Sequence, residues 1–418
     1  MTKRLILAFV FLSWHLVACS NGDSGISSGL PDKPSAEEDS PGTETISEEM
    51  RVKITGEDLY ISAKLDAKTD ILYWFKKCMF NELFTFYRVG TIDNNMPAPA
   101  TLPDASPTSL LNLAYSDNIG PFNITGYGWC GGNHPYLDEV TQTARNIGYR
   151  IYIDGKEIKT DLSTLTKEIK IEVINEIMNP SKADTSSGKT LLNEILCIET
   201  VNYSIYRNNI QVLVTHEFQN ESPVTVQMYY GMQSMFDQET HTLTANGKYV
   251  DWTVQKDVST FTKKEYPSFR RFIEKSANVY QSSYLFADGL GNHEEISDDD
   301  IIFIGNSSNK TYHKIIADRE HKKGDIIHWS GVYTWFKSPV SDDDDLLCYE
   351  GVIDNKKVLF IDCKKSVDRT IQLPVNYTKK SFTIIEKSKS ITITGNKVTA
   401  KGLKIVSDGS GSCVITFD

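Results

Sequence analysis

Short apolar runs that alternate with polar residues and end at turn residues dominate the chain, and helical periodicity is scarce. Tyr149-Arg150-Ile151-Tyr152-Ile153 meets Asp154-Gly155 and resumes as Lys156-Glu157-Ile158. Tyr203 to Tyr206 meets Asn208-Asn209 before Ile210 to Phe218. Thr242 to Thr244 meets Asn246-Gly247 before Tyr249 to Val254, and Ile391 to Thr394 meets Gly395-Asn396 before Val398. Asn-Gly and Asp-Gly supply the positive φ angles of tight hairpin turns, so each segment reads as a β-hairpin. Leu162 to Asn179 and Ser268 to Ser276 are the best helix candidates, although Ile169, Ile171 and Val173 alternate as a strand would. A turn at Asn355-Lys356 sets Cys348 opposite Cys363, at a spacing a disulfide tolerates. Many strands at hairpin spacing, without a propeller or solenoid repeat, predict an all-β fold: a large antiparallel β-sandwich. It is expected as one domain over residues 51–418, with 367–418 alternatively a small separate β-module. Pro97 to Pro107 reads as a surface excursion.

The ends of the pattern differ from its middle. Lys3 and Arg4 precede an apolar stretch from Leu5 to Val17, too short for a comfortable permanent span. It closes in Leu16-Val17-Ala18-Cys19, which resembles the lipobox of bacterial lipoproteins. That resemblance implies a signal peptide over 1–18, cleavage before Cys19 and lipidation of its thiol. Multiple acyl chains there would hold the protein stably at a membrane. From Ser20 to about Met50 the chain is mostly Ser, Gly, Pro, Asp and Glu and buries too little to order itself, so 19–50 reads as a flexible tether. Cys19 followed by an acidic run resembles surface-displayed lipoproteins of Bacteroidota-type bacteria. The expected place is the bacterial cell envelope, at the outer membrane and exposed at the surface.

Composition narrows the partners. The formal net charge of −11, without a basic stripe, argues against nucleic acid. Beyond Cys19 stand six cysteines, Cys78, Cys130, Cys197, Cys348, Cys363 and Cys413. They permit three disulfides but form no CxxC pair for structural zinc. Asn292-His293-Glu294-Glu295, Asp298 to Asp300 and Asp342 to Asp345 offer oxygen ligands of the calcium type, though without EF-hand spacing. No other metal or cofactor is expected. His313, His321 and His328 match no metal motif, and no GxSxG elbow is present.

The most unusual segment is Gly126-Tyr127-Gly128-Trp129-Cys130-Gly131-Gly132-Asn133-His134-Pro135-Tyr136. Its glycines allow close backbone approach, and Tyr127, Trp129 and Tyr136 offer flat faces of the sort sugars stack on. Asn133 and His134 add a polar pair able to bind hydroxyls or exchange protons with them. An enzyme built here would use His134 with Asp138 or Glu139. A lyase would add a charge-neutralising group such as Arg145. His216 and Glu217, adjacent on one strand, face opposite sides and form no dyad.

Val212 to Phe218, Asn220-Glu221-Ser222-Pro223-Val224, then the strand to Tyr230 and Gln233 resembles the middle of galactose-mutarotase-like domains. That resemblance implies a β-supersandwich with a sugar-facing sheet. Gln233 stands where those epimerases carry a catalytic histidine, so a sugar-contacting Gln233 is implied rather than epimerase chemistry. The leading functional expectation is an envelope-anchored protein that binds or processes a polysaccharide. The alternative is a non-catalytic glycan-binding or adhesive lipoprotein. Peptidase or phosphatase motifs are missing.

Overall fold

Alternation decides the architecture wherever two faces of a strand meet different surroundings. Ile169–Met178 buries Ile169, Ile171, Val173, Asn175 and Ile177 and turns Lys170 and the residues between them outward. The computed structural model describes residues 46–100, 111–114, 120–132, 134–235, 241–243, 249–251, 259–261, 271–276, 278–286, 302–305 and 310–417. The signal segment, Cys19, the tether up to residue 45, Asn133, the Asn246-Gly247 turn and the acidic run 292–300 lie outside them. Within this set the regular elements are antiparallel strands and short 3-10 turns. The chain is all-β.

A ten-stranded sheet forms the spine. Its middle runs Val279–Leu285, Ile326–Phe336, Asn209–Phe218, Ile195–Tyr206, Ile169–Met178 and Ala144–Ile153. Two six-stranded sheets share a core with one face of it. The first contains Asp58–Lys64, Thr69–Cys78 and Leu83–Asp93, and sets Phe75 edge-on to Tyr203 and Phe84 flat on Tyr149. The second contains Phe122–Ile124, Gly128–Cys130, Val224–Met235 and Lys310–His321, and sets Phe122 and Tyr229 against His216.

The strands from Ser341 onward build a smaller sandwich of five and three strands. Its interior takes Leu346, Cys348, Leu359 and Ile361 as well as Ile371, Leu403 and Ile405. The outer side of its larger sheet presents Leu347, Tyr349, Phe360 and Val414 to Tyr284, Val332 and Phe336 of the spine. A buried ion pair, Arg271 to Asp362 at 2.6 Å, also links the two.

Polar groups pin the connections. Lys64 and Asp70, both with fully buried side chains, pair at 2.8 Å. Asp70 also accepts from Asn94 Nδ2 at 2.7 Å and from the Ala100 amide at 2.6 Å, tying the start of the proline-rich excursion to its sheet. Charge pairing likewise occupies the described acidic run: Asp342 holds Lys364, Asp343 holds Arg369, and Asp345 holds Lys365. Burial against Phe218 holds His321 down to about 4, leaving the ring uncharged at neutral pH.

Several expectations need correction. Leu162 to Asn179 is two strands, Leu162–Thr166 and Ile169–Met178, and the described part of Ser268 to Ser276 is the strand Arg271–Ser276. Ile391–Ile393 does not fold back on Val398 but pairs with Leu403–Ser407. The turn after Tyr206 falls on Arg207-Asn208, because Tyr206 faces Asn209. The disulfide between Cys348 and Cys363 fails for a related reason. Asp354 and Asn355 both adopt positive φ, so the turn lies one residue earlier and Cys348 faces Ile361 while Cys363 faces Leu346. All six cysteines are buried thiols. The turn at Asp154-Gly155 stands as expected, with φ of 46° and 79°.

Candidate functional site

The glycine-rich segment folds as a two-stranded edge and a fastened loop. Gly128–Cys130 pairs with Phe122–Ile124 at the end of the second six-stranded sheet, which brings Trp129 opposite Asn123. Gly131 then turns with φ +76°, a conformation that favours glycine, and a Cβ there would press the Ile177 side chain at 3.2 Å. The loop beyond it is held from below. Buried Asn81 donates from Nδ2 to the carbonyl oxygens of Gly132, at 2.8 Å, and His134, at 3.2 Å, and accepts the Thr143 amide at 3.0 Å. Buried Thr143 donates its hydroxyl to the same His134 carbonyl and accepts the Gly131 amide at 3.1 Å. Two fully satisfied polar residues thus clamp the backbone on either side of residue 133.

The clamp fixes the rings. Trp129, half-buried, lies flat against His134 with centroids 5.4 Å apart and planes 23° apart. It also stacks on Tyr230 of Val224–Met235 at 5.9 Å and 22°, and Tyr230 meets Tyr312 at 4.2 Å. His134, Trp129, Tyr230 and Tyr312 therefore form one run of aromatic rings, half-buried at the histidine and tryptophan and buried at Tyr230 and Tyr312. Burial raises the Tyr312 hydroxyl far above its ordinary range, so it stays a neutral donor. Neither Tyr230 nor Tyr312 is a site candidate from the sequence. Tyr230 carried a signal, since it ends an alternating strand, but nothing local aims it at a loop a hundred residues earlier.

The other expected site residues fare unevenly. Tyr127, 45% exposed, and half-buried Tyr136 stand on the same loop without a ring partner among the described residues. Asp138 does not serve His134. Its carboxylate accepts the Val140 and Thr141 amides and the Thr141 hydroxyl at 2.6 Å. Those bonds, the Thr141 hydroxyl foremost, hold Asp138 well below the usual carboxylate range. Ionised and turned into its own loop, it lacks the proton a general acid needs. Arg145 points outward and pairs with Glu176 on the neighbouring strand, so its charge is already met. Gln233 is fully buried beside a strand irregularity, with neither amide atom bonded to any described residue. The sugar contact expected of it is not available.

What remains is a rigid aromatic surface with a histidine at its rim. Such a surface offers flat faces to the C–H sides of a pyranose, and donors and acceptors to its hydroxyls. No protein-family model and no curated protein matches the chain. Among solved structures it is similar to the galactosidase domain of an alpha-galactosidase–sucrose kinase, with 10% identity, 67% of this chain and 41% of that one covered, and a TM-score of 0.37. It is also similar to a polysaccharide lyase, with 8% identity, 82% and 45% covered, and a TM-score of 0.28. The chain spans less than half the length of either.

Proposed function

We propose that this chain binds a glycan on the Trp129 surface while anchored to the cell envelope through lipid on Cys19. The observation that carries the binding is the clamped stack. An indole ring at the surface is backed by Tyr230, flanked by His134 and fixed by Asn81 and Thr143. A ring held in place before the ligand arrives loses little freedom on binding, which is how an aromatic platform gains affinity. Binding is favoured over processing because Asp138 and Arg145, the groups that would complete an acid–base site around His134, are engaged elsewhere.

A glycan array probed with the mature chain, followed by product analysis on each bound polysaccharide, tests this reading. Retention of at least one glycan without new reducing ends or unsaturated uronates is the expected result. Products would assign catalysis to the site, and an array with no bound glycan would overturn the proposal. The anchor has its own check. Cys19→Ala should move the protein from the membrane to the soluble fraction and abolish acyl labelling, and retained labelling would refute lipidation at that residue.

A further inference from the structure

A second site lies on elements that share no residue with the Trp129 surface. Where the tip of the hairpin formed by Ile195–Tyr206 and Asn209–Phe218 meets the smaller sandwich, a cleft of about 300 Å³ opens. That volume is at the small end of the range for small-molecule sites. Arg207, Asn208, Lys337, Glu350, Lys357 and Tyr377 supply its polar lining, and Phe336 and Pro374 part of its apolar wall. Most of these charges already have partners. Lys337 pairs with Asp66 at 3.1 Å and donates to the Thr69 hydroxyl at 2.7 Å, and Lys357 pairs with Glu48 at 3.0 Å. Burial and the Glu350 carboxylate keep the Tyr377 hydroxyl protonated.

Arg207 is different. Its Nε is shielded from solvent and has no hydrogen-bond partner among the described residues, while Glu48, already paired with Lys357, lies close enough to feel its charge. A guanidinium is a planar fork of donors suited to two oxygens of one anion, and leaving a screened donor unmet is unfavourable. Its backbone is also unexpected. Arg207 has φ +52° in the first position of a two-residue hairpin turn, a position that favours glycine, asparagine or aspartate. The matching position is Asp154 in one hairpin of this chain and Asp354 in another. Here the turn carries a long cation instead, and it is held firmly: the Arg207 amide donates to Met50 Sδ at 3.1 Å and its carbonyl accepts the Tyr73 hydroxyl at 3.1 Å. Strain kept at a fixed turn, an unfilled Nε donor and a cleft in front of it coincide at one residue. In a chain of net charge −11, a cation in a recess with a screened donor still unfilled favours negative ligands.

We infer that this cleft binds a small ligand carrying an oxyanion, a carboxylate or a phosphate, gripped by the Arg207 guanidinium. The test uses the full mature chain at constant ionic strength, with melting temperature and calorimetric titration as readouts. The probes are inorganic phosphate, glucuronate as a ring-borne carboxylate, and glucose as the neutral control. At least one anion should raise the melting temperature saturably where glucose does not, and which one responds separates phosphate from carboxylate. Arg207→Gly relieves the left-handed backbone position, so that variant should fold normally and yet bind the anion at least tenfold more weakly. Arg207→Gln should lose the same affinity and Trp129→Ala should keep it. The inference is overturned if neither anion shifts melting beyond glucose, or if Arg207→Gly titrates like the parent.

Discussion

Replacing Glu199 with alanine should cost the fold about 2–6 kcal/mol, because it leaves two buried polar partners unmet at about 1–3 kcal/mol each. Glu199 is fully buried, and both carboxylate oxygens are used. Oε2 lies 2.8 Å from His216 Nε2, and Oε1 accepts Asn175 Nδ2 at 2.9 Å. Asn175 Oδ1 in turn accepts Asn146 Nδ2 at 2.9 Å. The four residues are direct cross-strand partners, so they form one polar rung across four adjacent strands of the spine. Phe122 and Tyr229 of the facing sheet close over the histidine edge-on, at 4.9 and 5.0 Å. Alanine strands His216 and Asn175 together in that apolar setting. Glutamine keeps the shape and one acceptor oxygen, so Glu199→Gln should lose well under half as much. Urea unfolding should show the difference as a midpoint shift at constant slope. Equal losses for the two variants would mean that the bonds along the rung are not what the carboxylate contributes.

That rung shows where sequence reading stops. His216 and Glu199 meet only in the right register, and register follows from the turn. Asn208-Asn209 looks like the turn, yet that choice would set His216 opposite Val201. Moving the turn to Arg207-Asn208 brings His216 to Glu199. An arginine at positive φ gives no composition signal for such a turn, so the slip and the hidden pair have one cause. The same one-residue slip separates Cys348 from Cys363. Asp154-Gly155 was legible because its chemistry matches its geometry. The helical reading of Leu162 to Asn179 arose from Leu162, Leu165, Ile169 and Val173, which sit at helical spacing by chance of two short strands in a row. The all-β class itself was plain from period-two alternation, which every buried strand face requires.

Of the site, the loop was legible and its surroundings were not. Four glycines, three aromatics and a histidine within eleven residues mark a segment that does more than connect strands. Asn81 and Thr143 clamp it from elements far away in the chain, and Tyr230 backs Trp129 from another strand, so none of the three has a local signature. Asp138 and Arg145 were chosen for proximity in sequence. Asp138 instead caps its own turn, a common use of aspartate, and Arg145 serves a cross-strand pair with Glu176 on the outer face of the sheet.

The second large effect falls on binding and bears on the central claim. Trp129 is the half-buried outer ring of the stack and Tyr230 its buried support, so removing the indole removes the platform and leaves its backing under a void. Because Trp129 is only half-buried and its backbone is held by edge pairing with Asn123, Trp129→Ala should fold and unfold much as the parent does. Truncating an aromatic anchor of this kind costs about 2 kcal/mol of binding or more, which is at least a tenfold loss in affinity. The decisive measurement is a calorimetric titration of the best array glycan into the parent and into Trp129→Ala, with matched melting curves for both. The account predicts an unchanged melting temperature with at least tenfold weaker binding. Equal affinity in two equally folded proteins would place the glycan elsewhere and contradict it.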